Sequence, residues 1–164
     1  MLDEEQLLKE ARNNPWFPEL LKIAARRRPT FLGSLFDPQV EYLANDSVVI
    51  RMKITELLYN NLQIVHGGIT ATLADTAMGL AAYHASGRPS VTLSLTVNYL
   101  QPGLGKELVA KASVVHRGGR VITTRCDVFN DEGEIIIQAT GTFYALKEGQ
   151  ITDGLSSTSG DATL

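Results

Sequence analysis

Between His66 and Gly87 the chain carries one carboxylate, Asp75, and the only other acidic or basic side chain in that apolar stretch is His84. A carboxylate inside an apolar helix is costly to desolvate unless something uses it. Asp75 therefore either pairs with a backbone donor or an arginine, or it does chemistry. In the second case an ionised carboxylate there can activate water as a general base or attack an electrophilic carbon itself. Gly67 and Gly68 open the same helix. First-turn amides have no partner within a helix, and without side chains a ligand can approach that backbone closely. Such amides, at the positive end of the helix, can stabilise a developing oxyanion. The plain alternative is a tight loop-to-helix junction. His66, directly before them, can orient a bound group or can be a histidine satisfied by backbone. Asn60 can offer its amide to a carbonyl or to an attacking water, or can be a turn residue.

The run Asn60-Asn61-Leu62-Gln63-Ile64-Val65-His66-Gly67-Gly68, followed by Leu73-Ala74-Asp75, has a definite spacing: His-Gly-Gly six residues after Asn60, and Asp75 nine residues after His66. With these residues the chain resembles the hotdog-fold thioesterases, in particular their phenylacetate-pathway (PaaI-type) branch. The resemblance runs from about Phe31 to Leu146 and includes Asn98-Tyr99-Leu100-Gln101-Pro102 at the end of a strand. It implies an acyl-CoA thioesterase that releases free acid and CoA; no cofactor is expected, and no metal site can be assembled from nearby Cys and His pairs. It assigns Asp75 as base or nucleophile and the amides of Gly67 and Gly68 as oxyanion hole. His66 would orient the thioester or assist the leaving thiolate, and Asn60 would bond the carbonyl or the water. Thr92 lies where family members often place a Ser or Thr that positions the water; its plain alternative is an ordinary strand threonine. Gln63 stands where many relatives have Gly, although some PaaI-type members carry Gln. CoA brings phosphates, and Arg117 and Arg120 flank Gly118 and Gly119, an anion cradle or a solvated turn. The resemblance places CoA near this turn.

The elements that must position these residues follow from periodicity. Residues 4 to 28 predict two short helices, the second capped by Asn14-Pro15 and ending in Arg26, Arg27 and Arg28. Strands are predicted over Phe31–Phe36, Val40–Leu43 and Ser47–Ile54, with a turn at Asn45 and Asp46. A loop over Thr55–Val65 leads to a long apolar helix from about Gly67 to Ala85, ended by Gly87 and Pro89. Because this helix is apolar nearly all round, it should be wrapped. Four strands follow, at Ser90–Gln101, Lys106–His116, Arg120–Asn130 and Glu134–Leu146. In the first, Val91, Leu93, Leu95, Val97 and Tyr99 alternate with Thr92, Ser94, Thr96 and Asn98. The turns between the last three predict an antiparallel meander of all four. The layout is α+β, an antiparallel sheet around one long helix, which agrees with the hotdog fold that the resemblance implies. The expected organisation is a helical extension over 1–30, the hotdog domain over 31–150 and a disordered tail over 151–164, rich in Ser, Thr, Gly and Asp.

The 164 residues fit one domain, with a net charge of -3 that gives no global pull towards nucleic acid. A single cysteine, Cys126, excludes an internal disulfide and suits a reducing cytoplasm. It sits beside Arg125 and Asp127 with no histidine near in sequence, so it is not read as a nucleophile. His84 and His116 are read as structural or surface residues. The acidic opening Asp3, Glu4, Glu5 predicts no secretory signal, and the stretch from Gly67 to Ala85 is too polar for a membrane span.

Helix geometry bears on where the site lies. Nine residues of helix put His66 and Asp75 about 13.5 Å apart along the axis and about 180° apart around it. They cannot converge on one small group within a single helix, but an antiparallel second copy can bring its Asp75 beside this His66, twice per two-fold dimer. Hotdog families form dimers with joined sheets, often paired again into homotetramers, so the resemblance implies the same. Two other functions use this fold. A hydratase-like lyase adding water to enoyl-CoA typically has Asp and His only a few residues apart, unlike here. A non-catalytic acyl-CoA sensor needs an attached DNA-binding segment, and residues 1 to 30 are too short for one.

Overall fold

In the strand Ser47–Lys53, Val48, Ile50 and Met52 are buried and the residues between them are not. This period of two is the pattern of a strand with one face on a core. The computed structural model describes residues 36–44 and 46–147. The helical extension, the stretch over 31–35, Asn45 and the tail lie outside the described residues. Among the described residues six strands form: β1 (Gln39–Ala44), β2 (Ser47–Lys53), β3 (Ser90–Tyr99), β4 (Glu107–Gly118), β5 (Val121–Asn130) and β6 (Ile135–Ala145). One helix of twenty residues, α1 (Gly67–Ser86), joins β2 to β3 after a 3-10 turn at Glu56–Leu58. Phe36, predicted as the end of a strand, carries helical backbone instead.

The strands form one antiparallel sheet in the order β1-β2-β4-β5-β6-β3. Only β4, β5 and β6 make the expected meander. The first of the four predicted strands, β3, pairs instead with β6 at the far edge. The linker over 100–106 carries Pro102 and two glycines and makes no tight hairpin. Three strand spacings, about 14 Å, lie well within reach of seven extended residues. The linker is held on the way: the amides of Leu100 and Gln101 donate to the Ile136 carbonyl, and that of Val65 donates to Gly103.

Helix α1 lies across the sheet, touching β2, β3, β4, β5 and β6. Its buried residues Thr70, Leu73, Ala74, Ala77, Met78, Ala81, Ala82 and Ala85 recur at three- and four-residue spacing. Five of these eight are alanines, which lets the helix approach the sheet closely. Val48, Ile50, Met52, Leu108, Ile122, Val128, Ile137 and Phe143 complete the core. The opposite side of α1 is half-buried at Ala71, Leu80 and Tyr83. Gly87 ends the helix in the left-handed region, φ 66°, with its amide on the Tyr83 carbonyl.

The alternation in β3 is not continuous. Its register shifts between Thr92 and Ser94, so Leu93 is an extra residue in a β-bulge. Directly opposed residues of an antiparallel pair share a face. Thr92, Leu95, Val97 and Tyr99 oppose Phe143, Gly141, Ala139 and Ile137, all buried on the helix side. Thr92 therefore faces α1 together with Leu95, Val97 and Tyr99, not away from them as unbroken alternation predicts. As an edge strand, β3 leaves Leu93 58% and Tyr99 57% exposed.

Candidate active site

The loop before α1 is shaped by Asn60. Its side-chain oxygen accepts from the amides of Leu62 (2.8 Å) and Ile64 (3.4 Å), an Asx turn. The backbone closes the same turn, Asn60 donating to Ile64 and Gln63 to Asn60. Gln63 adopts φ 60° at the bend, the left-handed region that glycine favours. The oxygen is engaged in the loop, and among the described residues no acceptor occupies the Asn60 Nδ2 donors.

His66 is the N-cap of α1, and its Nδ1 accepts from the Gly68 amide at 3.0 Å. An accepting Nδ1 in a neutral imidazole leaves the proton on Nε2. The Gly68 amide, expected to serve the oxyanion, is thus taken by His66. The Gly67 amide is the first-turn donor that remains. The Gly67 carbonyl accepts from the Thr70 hydroxyl (2.9 Å) and from the Tyr99 hydroxyl (3.0 Å). A Cβ on Gly67 would meet the Tyr99 ring at 3.0 Å, so this close approach requires glycine. Beside this junction opens a cleft of about 290 Å³ lined by Asn60, Ile64, Val65, Gly67, Tyr99 and Ile136, among others.

Asp75 lies eight residues further along α1, half-buried. Among the described residues its partner is neither a backbone donor nor an arginine: the Thr92 hydroxyl donates to Asp75 Oδ1 at 2.9 Å. The bulge at Leu93 makes this pairing possible by turning Thr92 towards the helix. Eight residues of helix span about 12 Å, so Asp75 stands apart from Gly67, and it does not line the cleft.

The structure thus gathers the predicted residues into three groups. Asn60, Gln63, His66, Gly67 and Gly68 meet at the start of α1, Asp75 meets Thr92, and Arg117, Gly118 and Arg120 sit at the β4–β5 turn. Arg120 Nη1 donates to the Tyr144 hydroxyl at 3.1 Å, and this bond lowers the Tyr144 pKa. Tyr144 alternates with the buried Phe143 and Ala145, so Arg120 is engaged on the sheet face turned away from α1. Arg117 is exposed and, like Arg120, is not ion-paired among the described residues. Burial, reinforced by Asp127, pushes the Cys126 thiol up to about 12, which removes it as a nucleophile. Tyr99 and Thr70 also meet at the Gly67 junction, and the sequence reading did not assign them to the site. Tyr99 stood within the Asn98–Pro102 run, which was the available signal.

With the geometry in hand, comparisons with known proteins define the class. The profile of the thioesterase superfamily matches residues 62–137. Human acyl-coenzyme A thioesterase 13 is 32% identical over 102 residues, covering 60% of this chain and 73% of that protein. The BH2602 protein of Bacillus halodurans, solved with CoA, is 36% identical with a TM-score of 0.66, covering 89% of this chain and 93% of that one. The E. coli PaaI protein of the phenylacetic acid degradation operon has a TM-score of 0.72 over 86% of this chain and 96% of that one, and at 21% identity it speaks for the fold. The chain belongs to the thioesterase superfamily, with the hotdog fold. Within that superfamily it falls among the acyl-CoA thioesterases, which makes it a thioester hydrolase.

Proposed function

We propose that this chain hydrolyses acyl-CoA to free acid and CoA at sites each built from two copies of itself. The observation that carries this reading is the Asp75–Thr92 pair, a half-buried carboxylate held by a hydroxyl and, among the described residues, not neutralised by a cation. One copy contributes Asn60, His66 and the Gly67 amide; the other contributes Asp75 and Thr92. Water held by Thr92 gives its proton to Asp75 and attacks the thioester carbon, or Asp75 attacks that carbon itself and water then cleaves the anhydride. The carbonyl oxygen, as it gains charge, takes hydrogen bonds from the Gly67 amide and Asn60 Nδ2. Collapse expels the CoA thiolate, which His66 Nε2–H is placed to receive.

Two features support a second copy. Asp75 and Gly67 are too far apart to serve one thioester within a chain. The long edge β3 leaves apolar side chains and backbone groups open, an arrangement that a matching strand covers well. A two-fold pairing of β3 edges gives a homodimer with two equivalent sites, and pairing of dimers gives a homotetramer. Arg117, Gly118 and Arg120 are assigned to the CoA phosphates, and the Bacillus halodurans relative was solved with CoA. A single buried, neutral thiol at Cys126 suits the reducing cytoplasm proposed as the site of action.

The test is thiol release from a panel of acyl-CoAs, aromatic and aliphatic, followed in parallel with loss of enoyl absorbance. Asp75→Asn should lower kcat by about 10²- to 10⁴-fold, the usual cost of losing a general base. A folded variant that keeps kcat within a few-fold of the parent would overturn the mechanism, and loss of enoyl absorbance without thiol release would favour the lyase.

A further inference from the structure

We infer that Tyr99 is a positioning residue for His66, acting through the Gly67–Gly68 peptide. Three hydrogen bonds meet on that one peptide unit. Its carbonyl accepts from Tyr99 Oη at 3.0 Å and from Thr70 Oγ1 at 2.9 Å. Its N–H, that of Gly68, donates to His66 Nδ1 at 3.0 Å. Donors on a peptide oxygen draw charge towards it and polarise the N–H at the other end, so the three bonds strengthen one another. The peptide plane is also fixed mechanically, because the Tyr99 ring lies against Gly67 where a Cβ would be 3.0 Å away.

The consequence falls on His66. A strong donor at Nδ1 selects the tautomer with its proton on Nε2 and holds the ring in one orientation. That tautomer is the one able to donate to a leaving thiolate. The chain from hydroxyl to peptide to imidazole thus sets which ring nitrogen faces the substrate. Tyr99 reaches the peptide from the last residue of β3, so the edge strand and the start of α1 are tied at this point. The inference rests on His66 serving the reaction as proposed above.

Tyr99→Phe keeps the ring packing and removes the hydroxyl. The measurement is ¹⁵N NMR of histidine-labelled protein at mildly alkaline pH, with His66 assigned by its own substitution, alongside steady-state kinetics. The Nε2–H to Nδ1–H ratio of His66 should fall by up to about 2-fold, the roughly 10–30% of one hydrogen bond that a cooperative partner adds, and kcat should fall only as far as the Nε2–H fraction does, with KM unchanged. Thr70→Val removes the other donor and should move the ratio in the same direction, so it tests the relay even where Tyr99→Phe folds poorly. An unchanged ratio in the folded variants overturns the relay, whatever kcat does. A changed ratio upholds the relay, and a folded His66→Ala protein that keeps kcat within a few-fold of the parent sinks the role of His66 in the reaction.

Discussion

Asp75 and Thr92 are seventeen residues apart in sequence and joined by one hydrogen bond of 2.9 Å. Assigning that bond to water positioning predicts a separation of kinetic constants. Thr92→Ala should lower kcat with less effect on KM, and Arg120→Ala should raise KM with less effect on kcat. The reverse pattern in steady-state assays would mean that the two assignments are exchanged. Cys126 gives a prediction independent of activity. Its thiol, pushed up to about 12 by burial, is protonated and enclosed in the native protein. It should resist alkylation at neutral pH and react once the chain is unfolded in denaturant. Because its folded pKa is raised, its contribution to stability is complete below the ordinary value of 9.0 and is lost as pH rises towards about 12. Fast labelling of native protein at neutral pH would contradict the burial. Asp75 stood out as the one carboxylate of an apolar helix, while Asn60 and His66 were singled out by the motif shared with the hotdog thioesterases, and the roles of all three are proposed. Their partners were less legible: that the Gly68 amide is taken by His66 depends on a side-chain rotamer, which no spacing specifies.

At the scale of elements, period-two and three-to-four patterns matched α1 and β1 to β6 to within a few residues, since each buries one face, whereas the predicted strand over 31–36 ends in a helical Phe36 and otherwise lies outside the described residues. The order of strands was less legible. Consecutive strands joined by short linkers usually pair, and β3 departs from this because its linker crosses β6 and β5 to reach β4. The bulge at Leu93 was hidden for a similar reason. Thr-Leu-Ser-Leu-Thr alternates as well with a bulge as without one, and only the pairing with β6 decides the phase. The loop before α1 carries its own strain. Gln63 holds φ 60°, which costs a residue with a Cβ about 1–2 kcal/mol. Gln63→Gly should relieve that cost and, after the extra entropy of glycine in the unfolded chain, raise stability by up to about 1 kcal/mol. Urea unfolding measures it, and a loss of stability would mean that the Gln63 side chain contributes more than its backbone costs.

At the scale of the whole molecule the central claim is a site divided between two copies. Asp75→Asn and Asn60→Asp proteins should each be inactive alone. Aspartate at 60 keeps the oxygen that accepts from Leu62 and Ile64, so the loop is preserved while the Nδ2 donors are lost. Refolding an equal mixture from denaturant should give about half heterodimers, each with both lesions in one site and a native complement in the other. Roughly a quarter of parental activity should then return, with native mass spectrometry counting the heterodimers. Heterodimers present in that proportion, with activity no higher than that of the separate proteins, would contradict a site built across the interface.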